Sequence, residues 1–117
     1  MFAVNADTSL PLGYERNVTT SAFAGSNVNF NCSSEVHSVS QSVSWRHCPS
    51  TGGSVVWFNG RRINSELRSR GVTVEGDGTR GWSILTIPRV RLADGGTFQC
   101  FMDSRCQVNF YLTIARK

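Results

Sequence analysis

Four cysteines and two histidines are among the side chains of this 117-residue sequence whose types could support chemistry. Cys32, Cys48, Cys100 and Cys106 are an even number, which favours disulfides in an oxidising compartment. A zinc site built from His47, Cys48 and Cys106 would need a fourth ligand and the paired spacing typical of zinc motifs, and neither occurs. We therefore predict disulfide bonds, with no metal and no other cofactor.

Motifs for catalysis are missing from the sequence. There is no Gly-x-Ser-x-Gly nucleophile elbow and no glycine-rich phosphate loop ahead of a helix. Neither His37 nor His47 lies in a motif that would identify it as a general base, and Gly76-Asp77-Gly78 is typical of a turn. We expect no catalytic residues and no enzymatic activity.

The charge is basic but dispersed. Eleven arginines and Lys117 give a formal net charge of +4, and the densest group lies at residues 61–70. Nucleic-acid-binding segments usually show a run of like charge or a basic helix face, so we expect no nucleic-acid partner. No apolar run approaches the roughly 20 residues of a membrane-spanning helix, and we expect no membrane insertion.

Apolar and polar residues alternate through most of the chain, which favours short strands over helices. The strand signals lie at 17–23, 28–32, 43–45, 55–58, 72–74, 83–87, 98–102 and 108–114. Short strands separated by frequent turn residues predict an all-β protein, an antiparallel sandwich or barrel. We expect one domain over residues 1–117, with a core from about 14 to 115 and a loosely held first dozen residues.

Cys32, Trp45 and Cys100 occur in an order that suits a two-sheet sandwich. Facing sheets lie about 10 Å apart, so a disulfide can join them where an indole fills the neighbouring space. We predict a Cys32–Cys100 disulfide, which would contribute roughly 4 kcal/mol by closing a long loop.

The stretch Asp94-Gly95-Gly96-Thr97-Phe98-Gln99-Cys100 resembles the Asp-x-Gly-x-Tyr-x-Cys signature of the immunoglobulin superfamily, with Phe98 in the tyrosine position. With Cys32 and Trp45, the resemblance extends from about residue 25 to 114. The spacing of the two cysteines leaves room for the extra C′ strand of variable-type (V-set) domains. Without the tyrosine hydroxyl, the corner before strand F must be held by packing alone.

The resemblance implies an antiparallel two-sheet sandwich of V-type with Greek-key topology. It places Trp45, Phe98 and Leu85 in the core and pairs Arg70 with Asp94 as a structural ion pair. A second alignment takes Trp57 as the core indole, which would leave an unusually long loop between Cys32 and Trp57.

Cys48 and Cys106 are the second cysteine pair, and we expect an intramolecular disulfide between them. The V-type alignment places Cys48 near the C–C′ turn and Cys106 just after the F–G turn, at opposite ends of the sheet. A disulfide tolerates Cα separations only up to about 7 Å. The alignment with Trp57 in the core brings both cysteines to the same end, so the state of this pair bears on the choice between the two.

A partner surface is expected on the front sheet, formed by strands C, C′, F and G. If Cys100 points inward, alternation turns Gln99 and Phe101 outward, and it turns Tyr111 outward on the next strand. Exposed aromatic clusters with polar neighbours are typical of contact sites. The candidate contact residues are Phe101, Tyr111, Trp57, Met102, Arg46 and Gln99.

The resemblance implies an extracellular protein–protein recognition module of receptor or adhesion type, secreted or on a cell surface. Its partner would be a second copy or another immunoglobulin-like domain. The last strand lacks the Phe-Gly-x-Gly bulge of antibody variable domains, which argues against antibody-style pairing. The alternative is a secreted domain that binds anionic glycans or microbial surfaces through arginines such as Arg61, Arg62, Arg68 and Arg70.

Asn17-Val18-Thr19 is an N-glycosylation acceptor sequence, consistent with a secreted protein. Asn31-Cys32-Ser33 also fits the tripeptide rule, but its middle residue is the expected core cysteine. We expect Asn17 to be the glycosylated residue.

Overall fold

The computed structural model describes residues 16–34, 42–103 and 105–117. The expected loose N-terminal dozen residues and His37 lie outside these ranges. None of the helices in the described ranges is long and apolar enough to cross a membrane.

Short strands dominate the described residues, as the alternating pattern predicts. In chain order they are β1 (Arg16–Phe23), β2 (Val28–Ser33), β3 (Val43–Pro49), β4 (Val55–Phe58), β5 (Thr73–Asp77), β6 (Trp82–Ile87), β7 (Gly96–Met102) and β8 (Arg105–Ala115). The sequence signals locate each of these strands. Several run further than predicted, because outward polar residues such as Arg46 continue the hydrogen-bonded ladder.

The strands form two sheets. The front sheet has the order β1-β8-β7-β3-β4, and the back sheet has the order β2-β6-β5. β1 runs parallel to β8, whereas the other neighbouring pairs are antiparallel. Strands adjacent in sequence therefore often lie in different sheets, which confirms the predicted sandwich.

Inward side chains from both sheets form one core. Phe30 of β2 stacks on Phe110 of β8 with ring centroids 4.6 Å apart, and Trp45 stacks on Phe110 at 5.8 Å. Leu85 and Phe98 have no exposed surface, as predicted for core residues. The pattern along β2, buried and exposed in strict alternation, shows how one face of each strand is removed from water.

The chain between β4 and β5 contains a short helix, α1 (Ser65–Ser69), which the sequence patterns did not predict. Asn64 caps it by accepting a hydrogen bond from the Glu66 backbone N–H at 3.0 Å. Leu67 is its buried side chain. A five-residue helix with one apolar contact is too short to show a helical period, so its formation depends on packing against the sandwich.

Candidate functional site

The disulfide between Cys32 and Cys100 joins the back sheet to the front sheet, with Cα atoms 6.4 Å apart. Trp45 is opposite Cys100 in the β3–β7 ladder and is fully buried. Its indole N–H donates to Ser83 Oγ at 3.0 Å, so the polar atom of the indole is satisfied. Trp45 is therefore the core indole beside the disulfide, and the alignment that gave this place to Trp57 is wrong.

Trp57 and Met102 were predicted to contact a partner, and the structure corrects both. They are 5% and 1% exposed, respectively, so neither presents a surface. Trp57 is the extra residue of a bulge, since Phe58 lies opposite Trp45 and Val56 lies opposite Arg46. Met102 follows the inward parity of Cys100, two residues earlier on β7.

The corner before β7 is held by a buried ion pair. The Arg70 guanidinium donates to both carboxylate oxygens of Asp94, at 3.0 and 2.6 Å, and the Arg91 backbone N–H donates to the same carboxylate at 2.8 Å. Burial of Asp94 would raise its pKa, but the hydrogen bonds from Arg70 and Arg91 outweigh burial, so the pKa lies below the ordinary value. Arg70 thus occupies the structural role predicted for it.

His47 supplies a side-chain hydrogen bond at this corner. Its Nε2 donates to the Gly95 carbonyl oxygen at 3.0 Å, and its ring stacks on Phe98 at 4.2 Å. Burial lowers the pKa of His47, and the Gly95 hydrogen bond and the nearby Asp94 only partly offset that effect. The corner was expected to be held by packing alone, but it has a side-chain hydrogen bond from a neutral histidine. The donor lies on β3, whereas the family's tyrosine would lie on β7.

The structure explains why the Asp-x-Gly-x-Tyr-x-Cys motif has a glycine at the position of Gly96. Its φ of +124° lies in the region that favours glycine, and a Cβ at this position would overlap the Cys48 carbonyl oxygen. β7 can therefore approach β3 closely at the start of the strand, where Gly96 lies opposite Pro49.

The outer face of the front sheet is the candidate contact surface, and register defines its members. Phe101 lies opposite Ser44 and Cys106, while Gln99 lies between Arg46 and Asn109. Tyr111 lies on the same face of β8 and is 41% exposed. Four of the six predicted contact residues thus share this face: Phe101, Tyr111, Arg46 and Gln99.

Arg46 and Phe101 form the most distinctive contact on this face. The Arg46 guanidinium carbon lies 5.8 Å from the centre of the Phe101 ring, in the range of a cation–π interaction. Val56, opposite Arg46 on β4, is 45% exposed and belongs to the same patch. We call Val56, Arg46 and Phe101 the aromatic–arginine patch. The sequence reasoning missed Val56 because the β4 bulge reverses the inward and outward positions on that strand.

A row of hydrogen bonds crosses the rest of the outer face. Gln99 Nε2 donates to Asn109 Oδ1 at 3.0 Å, and Asn109 Nδ2 donates to Asn17 Oδ1 at 3.2 Å. The Tyr111 hydroxyl also donates to Asn17 Oδ1, at 3.2 Å. We call Gln99, Asn109, Asn17 and Tyr111 the amide row. It joins β7, β8 and β1, so Gln99 is already occupied in holding the sheet.

The predicted Cys48–Cys106 disulfide is wrong. Both side chains are thiols, and Cys48 Sγ lies 3.7 Å from Gln99 Oε1 whereas Cys106 Sγ lies 3.6 Å from Asn109 Oδ1. Cys48 is in register with Thr97 of β7, but Cys106 is in register with Phe101. Four residues along a strand are about 13 Å, well beyond the separation that a disulfide tolerates.

The arginines of the alternative hypothesis are not equivalent. Arg61, Arg62 and Arg68 are exposed, and the salt bridges found among the described residues do not include them. Arg70 is committed to Asp94, with only 15% of its side chain exposed. No group of three or more potential metal ligands occurs within the described ranges.

Comparison with known proteins identifies the fold family. The family model described as "Immunoglobulin domain" matches residues 18–109. The chain belongs to the immunoglobulin domain family. A solved structure of the first immunoglobulin domain of the mouse polymeric immunoglobulin receptor is similar, with a TM-score of 0.69 over 88% of this chain and 92% of that chain. The two sequences are 15% identical, so this similarity concerns the fold.

Curated proteins give no match to this sequence. Immunoglobulin domains are typically recognition modules that bind proteins, and they are typically extracellular or on the cell surface. They are typically not enzymes. The V-type assignment agrees with the added edge strand β4 and with the match to the receptor domain.

Proposed function

We propose that this chain is an extracellular recognition module that binds a protein partner through the aromatic–arginine patch. The observation that carries the proposal is the Arg46 guanidinium held over Phe101 on an open sheet face. Arginine and aromatic residues are enriched among the few residues that dominate binding energy at interfaces. The rigid sheet beneath them limits the entropy lost on binding.

Charge on the outer face indicates the kind of partner. The described outward-facing positions of β3, β4, β7 and β8 include Arg46 but no aspartate or glutamate. A partner with an acidic residue opposite Arg46 would complement this face. Homodimerisation is the competing interpretation, and like charge at Arg46 opposes it.

Sedimentation velocity over a concentration series at physiological salt separates these partners. The proposal expects a monomer in reducing and in non-reducing buffer. If wild type forms a reversible dimer and Phe101→Arg abolishes it, the partner is a second copy of this chain and the proposal of a different protein partner is wrong.

An arrayed library of extracellular domains, probed with multimerised protein, tests the surface itself. Phe101→Arg and Arg46→Glu should abolish wild-type binding. Trp82→Arg is the matched control, because Trp82 is an aromatic residue of the back sheet with 40% of its surface exposed. Binding that survives both front-sheet variants, or that only Trp82→Arg removes, would overturn the proposal.

The alternative function, binding of anionic glycans, is favoured by one observation: Arg61, Arg62 and Arg68 are exposed and outside the described ion pairs. Binding by several arginines should weaken steeply between low and physiological salt, whereas contact through the aromatic–arginine patch should change little. A glycan array probed with wild type and with an Arg61→Gln, Arg62→Gln, Arg68→Gln variant distinguishes the two functions.

A further inference from the structure

The acceptor sequence at Asn17 lies on the outer face of the front sheet. Asn17 is opposite Asn109 in the parallel β1–β8 ladder, and Thr19 is opposite Tyr111. Asn17 and Thr19 are both exposed, so the folded domain leaves the acceptor sequence open to solvent. A modification at Asn17 would therefore share a surface with the aromatic–arginine patch.

Hydrogen-bond direction along the amide row fixes the orientation of the Asn17 side chain. Asn109 Oδ1 accepts from Gln99, so its amide nitrogen donates to the next acceptor, Asn17 Oδ1. The Tyr111 hydroxyl donates to the same oxygen. Reversing the Asn17 carboxamide would set one NH₂ group against another. Its oxygen therefore faces the sheet and its nitrogen faces solvent.

N-linked glycans are attached to the asparagine Nδ2 atom, so this orientation suits a glycan. A sugar on Nδ2 leaves the Oδ1 atom free to keep both hydrogen bonds. The first sugars would emerge beside Tyr111, whose half-exposed ring offers an apolar face to carbohydrate C–H groups. Asn109, which is only 4% exposed, lies beneath these first sugars.

We infer that Asn17 carries an N-linked glycan that covers the β1–β8 half of the outer face and confines protein binding to the aromatic–arginine patch. Tyr111, predicted as a partner contact, becomes a carbohydrate contact instead. The inference rests on the proposed function for its extracellular setting and for its binding partner. It adds that the outer face has two occupants, a glycan on the β1–β8 half and a protein partner at the aromatic–arginine patch.

Secretion of the chain from a eukaryotic host, followed by intact-mass analysis, tests whether Asn17 is occupied. Thr19→Ala and Asn17→Gln should each lose the whole glycan mass, while Thr19→Ser should retain it. Enzymatic release of the glycan leaves an aspartate, which peptide mapping should place at position 17. An unmodified wild-type chain, or an aspartate at position 31 alone, would overturn the inference.

Hydroxyl-radical footprinting tests whether the glycan covers one half of the face. Glycosylated wild type is compared with Thr19→Ala, which lacks the glycan but keeps Asn17 and its hydrogen bonds. Tyr111 oxidation should be severalfold lower in wild type, and Phe101 oxidation should be equal in the two proteins. Equal Tyr111 oxidation, or protection of Phe101, would contradict the division of the face. Neither readout requires a partner, so the inference can fail while the proposed function stands.

Discussion

The interior of the sandwich and the outer face of the front sheet contain similar residue types, but these residues have different roles in the two regions. Both contain cysteines, aromatic rings and hydrogen-bonded polar groups, and β7 contributes to both with alternate residues. Inside, Cys100 meets Cys32 across the two sheets at a Cα separation of 6.4 Å. Outside, Cys48 and Cys106 remain thiols four register positions apart. Position relative to the neighbouring strands, not residue type, decides what each side chain can do.

The two cysteine pairs provide the largest expected contrast between these regions. Cys32→Ala with Cys100→Ala should lower the free energy of unfolding by about 4 kcal/mol, because a long loop is released. Cys48→Ser with Cys106→Ser should change it by less than about 0.5 kcal/mol, as expected for sites on the sheet surface. Chemical denaturation measures both values.

Thiol titration in denaturant without reductant gives an independent check. Wild type should show two thiols per chain, at Cys48 and Cys106. A chain without titratable thiols would mean that these two cysteines are bonded after all.

Ion pairs offer the second contrast. Asp94→Asn leaves the Arg70 guanidinium largely buried without its carboxylate and should lower the free energy of unfolding by about 3 kcal/mol. Asp77→Asn is the matched control, since the Asp77–Arg80 pair is exposed to solvent and its loss should lower the free energy of unfolding much less. Similar losses in the two variants would show that burial does not distinguish the pairs.

Two glycines test how closely the strands approach. Gly96→Ala should cost at least about 2 kcal/mol, because positive φ and overlap with the Cys48 carbonyl oxygen act together. Gly53→Ala also forces a positive φ, but the surrounding space is open, so its cost should be about 1 kcal/mol. Equal costs would assign the whole effect to backbone conformation.

Acid should weaken the interior through two buried titratable groups, His47 and Asp94. The folded state lowers the pKa of His47, so the unfolded chain binds the proton first and stability falls as pH drops below about 6.5. Asp94, with its pKa also lowered, adds a further loss at lower pH, below its ordinary value.

His47→Phe keeps a ring against Phe98 but does not titrate. The loss of one hydrogen bond should lower its denaturation midpoint at every pH. Between pH 7.5 and 5.5, however, its midpoint should change less than that of wild type. An unchanged pH dependence would place the responsible group elsewhere.

Alternation along the chain was sufficient to predict the strands and an antiparallel sandwich or barrel, but the inward positions of Trp57 and Met102 were not predicted. Cys32, Trp45, Cys100 and the Asp94–Cys100 motif identified the family, because these residues meet in one buried unit. Arg70 and Asp94 were also predicted correctly as a pair. Such features depend on local patterns or on residues fixed by the family.

Only the tertiary structure decided that Val56 and Cys106 belong to the outer face and that Trp57 does not. Bulges in β4 and β8 turn Trp57 inward and Val56 and Cys106 outward, and one inserted residue reverses the parity of a strand. Register across three strands separates Cys48 from Cys106. The sequence determined the alternation, because it is a local property of each strand. Register depends on pairing between distant segments, so the exceptions to alternation on this face emerged only when the strands were assembled.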